Sequence, residues 1–416
     1  MFDYGVNDDY LKVILEANKE VAITVKTPTG TSKEYRLTNT IMQGDTWAPA
    51  QASAQVDSFG KEMIIQEPNF MFKYKGEVSI PLLGQVDDLL GVSEVGFKAE
   101  QLNGFVNVKT ADKELQFGID KCNYMIVSKA KTNSFLKPAL FVDSWKLIHN
   151  KNKTMEETFM GKIPMEEKNS LLYLGYMLSQ NKSNMPNINH KKNKSKGTQK
   201  QIPKLIEPLG IYRFESAIIY IESLLRSSIL YGAETMNNVK ELEWRELEKI
   251  EEAVLSKVFK TTRSCSRHLL YLEAGMVPAR FLVRRQMLAF LQYILQQPTD
   301  SLLHRVYQAQ EESPSSGDWV SETAKILQDM KIDISNEEIK AMRVPQFKIL
   351  IKKKTEVAAF EYLCGKKLKG KKGRELPHDR VQMSDYLLPD SCASLEEKFY
   401  IFKLRTEMNL ARNNSA

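Results

Sequence analysis

Apolar positions in the first part of the chain repeat with two different periods, and each change of period marks a change of element. DDYLKVILEANKE (8–20) has its apolar residues three and four apart, the spacing that lines one helix face. VAITVKT and EYRLT are β-rich and are joined by PTGTSK, so 21–38 predicts a hairpin. In NTIMQGDTWAPAQASAQVDSFGKEM, Asp45 or Thr46 can cap a helix and Pro49 suits its first turn. The Ala-rich remainder can carry that helix to about Met63. FMFKYKGEVSIPLLGQ is strand material turning at Gly76, and VSEVGFKAEQLNGFVNVKTADKELQF is helical. KCNYMIVS, ALFVDSWKLI and SLLYLGYMLS return to strand, so residues 1–180 predict an α+β unit.

The pattern then breaks. Residues 181–206 hold seven lysines and no acid among Asn, Ser, Gly and Pro, which predicts a mobile surface loop or linker. Beyond it the period is almost wholly helical, in RFESAIIYIESLLRSSILYGAETM, VKELEWRELEKIEEAVLSKVFK and ARFLVRRQMLAFLQYILQQ, the last entered through Pro278. The expected division is therefore 1–180, 181–206, a helical region over 207–310 and a C-terminal helical region over 311–416. A second lysine run, CGKKLKGKKGRE, interrupts the last of these, and there is no internal repeat.

Composition bounds the picture without changing it. The chain has 416 residues, 42% hydrophobic and 27% charged, ordinary values for a globular protein with more than one core. Its net charge of +7 matters less than where the lysines cluster. Four scattered cysteines suit a reducing compartment, and Cys265-x-x-His268 is a weak metal pair. With no signal peptide and no apolar run of membrane-spanning length, the expectation is an intracellular protein, nuclear or cytoplasmic, with no membrane partner. The tryptophans at 47, 145, 244 and 319 read as packing residues.

Candidate chemistry centres on GQVDDLLGV (84–92), where Asp87 and Asp88 sit among apolar residues. Side chains alternate along a strand, so adjacent carboxylates converge only where the strand turns. A turn flanked by Gly84 and Gly91 can offer oxygen ligands to Mg²⁺ and leave room for a substrate, whereas Asp is also a common residue of plain hairpin turns. The lysines of 182–204, among them Lys191, Lys192, Lys194 and Lys196, read either as a phosphate-tracking loop or as a solvated linker. Arg280, Arg284 and Arg285 lie on successive turns of one helix, facing a duplex or forming the polar side of an amphipathic helix.

MQGDTWAP, QVDD, LQFGIDKCNYMIVS and LLYLGYMLS occur in this order, and as a set they resemble the reverse transcriptases of non-LTR (LINE-like) retrotransposons. Gln43, Gly44 and Asp45 match the family's Q-G motif, which contacts template and incoming nucleotide. Asp87 and Asp88 match the D-D motif that holds catalytic metal, and Lys121 the lysine placed near the pyrophosphate. Tyr173, Leu174 and Gly175 match the primer-grip turn. SILYGAETM and YLEAGMVPARFLVRRQMLAFLQYIL resemble the thumb and the helices after it. Gln85 and Met236 depart from the family, which has an aromatic residue and Trp at these positions.

The resemblance implies an α+β fold: a partial polymerase palm over 1–180, a helical thumb over 207–310 and a further helical region. It implies Mg²⁺ (or Mn²⁺) as cofactor. Its partners would be an RNA template with a DNA primer, or an RNA–DNA hybrid, together with deoxynucleoside triphosphates. The family's two metals, about 3.5–4 Å apart, need a third carboxylate from an earlier strand. MFDYGVNDDYLK matches the helix after that strand instead, and no segment matches the fingers. The expectation is a fragment of an RNA-directed DNA polymerase that is inactive by itself, or a non-catalytic nucleic-acid-binding protein derived from one.

Overall fold

A computed structural model describes residues 9, 12, 16, 21–24, 26–37, 48–85, 88–113, 115–127, 137–149, 155–261, 265–365 and 381–407. The fold is mixed α+β, and the chain divides into two compact units. One comprises Met1–Tyr124 with Ala130–Glu167, the other Met125–Lys129 with Lys168–Ala416. The boundary expected after residue 180 thus falls before residue 168. Among the described residues no helix is long and apolar enough to cross a membrane.

The first unit combines short two-stranded sheets with two helices. Strands β1 (Val21–Ile23), β2 (Lys26–Thr27), β3 (Gly30–Thr31) and β4 (Tyr35–Leu37) realise the hairpin predicted for 21–38, with β1 against β4 and β2 against β3. Helix α1 (Ala48–Gln66) follows, its early Pro49 in the position where a missing N–H costs nothing. Strands β5 (Phe72–Tyr74) and β6 (Val78–Ile80) turn at Gly76, whose φ of 79° suits glycine. Then come β7 (Leu83–Gln85), β8 (Asp88–Leu90), α2 (Gly96–Asp112) and β9 (Asn123–Tyr124). The long antiparallel pair β10 (Phe141–His149) and β11 (Met155–Pro164) and the short β12 (Glu166–Glu167), parallel to β9, complete it.

Its small core joins Phe59 and Met63 of α1 to Met71, Leu82 and, from α2, Leu102 and Val106. The β7–β8 hairpin lies on these helices, and its glycines are there for contact. A Cβ on Gly84 would collide with Val56 of α1, and one on Gly91 would come within 2.8 Å of Leu102 of α2. The space expected there for a substrate is filled by helix side chains.

The second unit begins with β13 (Ser170–Tyr173) and β14 (Tyr176–Ser179) and is otherwise helical. Most of the stretch expected as a loop is helical: after a short connection over 181–184, α3 spans Met185–Ile206. Its core-facing stripe is Ile188, Lys191, Ser195, Ile202 and Ile206, spaced by helical turns, but Lys191 and Ser195 fill the places where a sequence pattern looks for apolar residues. Helices α4 (Arg213–Tyr220) and α5 (Arg226–Leu230) follow, joined by a π-helical turn over Ile221–Leu225. Next come α6 (Glu241–Val258), α7 (Arg267–Glu273), α8 (Ala279–Gln296), α9 (Leu302–Glu312) and α10 (Trp319–Asp329). The chain continues through α11 (Asn336–Ala341), α12 (Val344–Cys364) and α13 (Leu395–Glu407). One hydrophobic core runs from Ile188 to Phe402, so 207–310 and 311–416 are not separate domains.

Gly84→Ala is expected to destabilise the first unit by roughly 1–3 kcal/mol, the cost of forcing a methyl into filled space. Urea unfolding of the variant against the parent measures it; an unchanged midpoint would mean that α1 does not rest on the hairpin.

Candidate functional site

The register of β7 and β8 sets which way each side chain faces. Leu83 pairs with Leu90, Gly84 with Leu89 and Gln85 with Asp88, leaving two residues between the strands. Leu82, Gly84, Leu89 and Gly91 face the helices, since Leu82 and Leu89 join the core and both glycines touch helix side chains. By alternation Gln85 and Asp88 share the opposite face, and both are exposed. Asp88 is therefore displayed at the hairpin end with an amide directly across from it, where the resemblance places an aromatic ring. Asp87, together with Gln43, Gly44 and Asp45, lies outside the described residues.

Lys121 ends a 3₁₀ turn over Ile119–Lys121 and is exposed, while the neighbouring Asn123 side chain donates to its carbonyl at 3.0 Å. Among the described residues, no group of three or more His, Cys, Asp or Glu side chains could hold a metal ion. Cys265 and His268 fall under the same statement; the His268 ring lies 5.5 Å from that of Tyr362.

In the second unit, Tyr173, Leu174 and Gly175 form the end of a tight hairpin. Tyr173 pairs with Tyr176, and the two turn residues have φ of 46° and 77°, both left-handed as a type I′ turn requires. A leucine in that conformation costs about 1–2 kcal/mol, so something must hold it. The Tyr231 hydroxyl donates to the Leu174 carbonyl at 2.8 Å. The contact is reciprocal: the Tyr231 ring covers Gly175 and the Tyr176 ring covers Gly232, each so close that a Cβ would stand 3.1 and 3.0 Å from it. Two sequence motifs, YLGY and ILYG, are thereby clasped together.

Helix α3 supports the clasp from beneath. Lys191 is buried and its ammonium donates to the Tyr231 carbonyl; burial lowers its pKa from 10.5 to about 8. The Asn187 side-chain carbonyl accepts the Met177 N–H at 3.3 Å. Glu243 of α6 accepts the Ser183 hydroxyl at 2.7 Å, the Asn184 N–H at 2.9 Å and the Lys240 N–H at 2.9 Å, thus capping α3 and α6 together. Burial alone would raise the Glu243 pKa, but these donors outweigh it and hold the carboxyl below its usual range.

The remaining cations separate into two groups. Lys192 reaches Glu246 at 3.3 Å, whereas Lys194, Lys196, Lys200 and Lys204 are exposed. Of these, Lys196, Lys200 and Lys204 stand four residues apart, one above the next on the solvent side of α3. Arg280 is not on a free face. Its guanidinium is buried, bonded to Glu248 at 2.5 and 3.0 Å and to Glu241 at 2.9 and 3.0 Å, and stacked 4.6 Å from the Tyr362 ring centroid. Arg284 pairs with Asp329 at 3.5 Å, and Arg285 is half-buried, with burial and the nearby Arg226 lowering its pKa. Sequence pattern missed Tyr231, Glu243 and Asn187 as organising residues; a repeated Tyr-Gly pair, in reversed order, is the signal that was available for the first.

The chain matches no protein-family model, and no curated protein matches it.

Lys191 gives a pH dependence. The unfolded chain holds this proton up to about pH 10.5 and the folded chain only to about pH 8. Between these values the unfolded state binds more protons, so stability rises with pH across that window. Relative to Lys191→Met, which lacks the titrating group, the parent should gain roughly 1–3 kcal/mol in that interval. Denaturant midpoints of both proteins at the two ends of the window check it; parallel pH profiles would exclude a desolvated Lys191.

Proposed function

We propose that the chain is the carboxyl part of a reverse-transcriptase palm with its thumb, of the non-LTR retrotransposon kind, and that it binds nucleic acid without extending a primer by itself. The observation that carries the reading is the β7–β8 hairpin, which is backed by two helices and displays Asp88 on the opposite, exposed face. This is the presentation that a hard cation bridging carboxylates and substrate phosphates needs. Asp87 and Asp88 would hold Mg²⁺ (or Mn²⁺), which when bound polarises phosphoryl oxygens, and Lys121 would stand near the leaving pyrophosphate. The donor set is incomplete, since the two-metal clamp requires a third carboxylate that no segment of the sequence matches. Template contact would come from Gln43, Gly44 and Asp45, and primer contact from the clasped turn at Tyr173, Leu174 and Gly175.

Nucleic-acid binding has its own support in the exposed face of α3. Lys196, Lys200 and Lys204 form a row of cations on a segment that contains no acid. Such a row binds phosphates through counterion release and carries no base readout. Lys194 adds to it, whereas Lys191 and Arg280 serve the interior.

Two measurements test the proposal. In a Mg²⁺ primer-extension assay the chain should show no product. Extension that is abolished by Asp87→Ala or Asp88→Ala would establish a working centre and overturn the non-catalytic half. Binding of an RNA–DNA hybrid should weaken linearly with log salt, and replacing Lys196, Lys200 and Lys204 by Gln should reduce the slope by about 2.7, at ~0.9 per phosphate contact. Absence of salt-dependent binding would overturn the whole reading.

A further inference from the structure

We infer that Arg213, Lys260 and Phe399 form a phosphate-binding site in the helical unit, separate from the lysine row of α3. Three arginines are buried among the described residues of this unit: Arg213, Arg226 and Arg280. Arg226 meets Glu251 at 2.7 Å and Arg280 meets Glu248 at 2.5 Å. Arg213, 7% exposed, meets no carboxylate among the described residues, and its Nε is sealed from solvent without a hydrogen-bond partner. Its guanidinium instead lies 5.1 Å from the centroid of the Phe399 ring. Lys260 brings its Nζ to 4.9 Å from the same centroid. The Lys260 ammonium is exposed and has no hydrogen-bond or ion-pair partner among the described residues.

Two cations therefore lie about 5 Å from the centroid of one ring, and among the described residues no acid is bonded to either. The carboxylate that acts on Arg213 is the exposed Glu207, through space rather than by contact. The buried Nε lacks a hydrogen-bond partner, and the terminal nitrogens of the same guanidinium have no carboxylate bonded to them among the described residues, so an anion would supply the missing acceptor.

The surrounding packing fixes the pair. Each cation is the chain neighbour of a core aromatic residue: Phe214 stacks on Phe259 at 5.1 Å, and Phe259 stacks on Phe402 at 4.3 Å. Phe399 meets Phe214 edge-on at 5.3 Å. Lys260 has a left-handed φ of 51°, which turns the chain sharply as α6 ends. The site is thus held by a rigid aromatic cluster joining α4, the end of α6 and α13. A planar guanidinium fork combined with a compact ammonium suits a tetrahedral oxyanion, and two unpaired positive charges favour phosphate over a single carboxylate. The phosphate could be a link of a nucleic-acid strand or a free phosphate group.

Thermal unfolding of the full chain in inorganic phosphate, against chloride at equal ionic strength, tests the site. Phosphate should raise the parent's Tm in a concentration-dependent way. Lys260→Gln, a surface change, should weaken phosphate binding about tenfold, the worth of one charge-assisted hydrogen bond. Arg213→Met should abolish the phosphate effect. No phosphate-specific rise in the parent, or an equal rise in Lys260→Gln, would overturn the inference. A salt titration of single-stranded DNA binding then separates the sources. A slope about 0.7 smaller in Lys260→Gln supports a strand phosphate. An unchanged slope alongside lost inorganic-phosphate binding supports a free phosphate.

Discussion

The helical unit depends on carboxylates that α6 carries into its interior. Glu243, Glu248 and Glu251 are each at most 3% exposed, and a buried carboxylate is tolerable only when it is surrounded by donors. Each recruits them from a different part of the chain. Glu243 takes the start of α3, Glu248 takes Arg280 of α8, and Glu251 takes Arg226 of α5 and the Tyr271 hydroxyl of α7 at 2.9 Å. The order in which helices surround α6 follows from which of them bring a cation or a hydroxyl to these three positions. Glu273 of α7 does the same for the C-terminal segment, accepting from Ser384 at 2.5 Å, Tyr386 at 2.9 Å and Arg405 at 2.5 Å. Removing one partner would strand a buried charge, so these pairs fix geometry more securely than they add stability.

The same constraint explains which parts of the molecule could be foreseen. Helix and hairpin positions follow from apolar period and turn residues: β1–β4 fall within 21–38, α1 runs past Met63, and α8 begins just after Pro278. The helical identity of 185–206 was hidden because its core stripe includes Lys191 and Ser195, which no hydrophobic period can register. Arg280 and Arg284 looked like candidates for a duplex because they recur at helical spacing. Their acceptors, Glu248 and Asp329, are remote in sequence and become neighbours only on folding. Local pattern gives the face a residue occupies, but it does not give the partner brought to that face.

Of the paired aspartates, the sequence led to the turn and the structure gives the face that Asp88 occupies. Gly84 and Gly91 suggested an open approach for a substrate, yet both are small so that α1 and α2 can lie directly on the hairpin. Close backing on one face is what leaves the other face, with Gln85 and Asp88, exposed. The clasp at Leu174 repeats this logic in the helical unit. Gly175 and Gly232 each yield space to a tyrosine ring, and the hydroxyl of one tyrosine holds the strained leucine. In both hairpins the glycines serve packing, while Gln85, Asp88 and Leu174 remain exposed.

Helix α3 shows how one basic segment can serve two ends. Lys191 gives up its solvation to bind the Tyr231 carbonyl, and Lys192 is drawn to Glu246, so the side facing the unit consumes two of the seven lysines. On the opposite side, four residues apart, Lys196, Lys200 and Lys204 remain in solvent. Had the segment been a loop, these charges would repel one another into an extended, averaged distribution. Anchored by Ile188, Ile202 and Ile206, the helix instead holds them at fixed spacing, against their mutual repulsion. The internal lysine and the isoleucines thus do the structural work that makes the external row a fixed surface, which is the property a phosphate backbone can use.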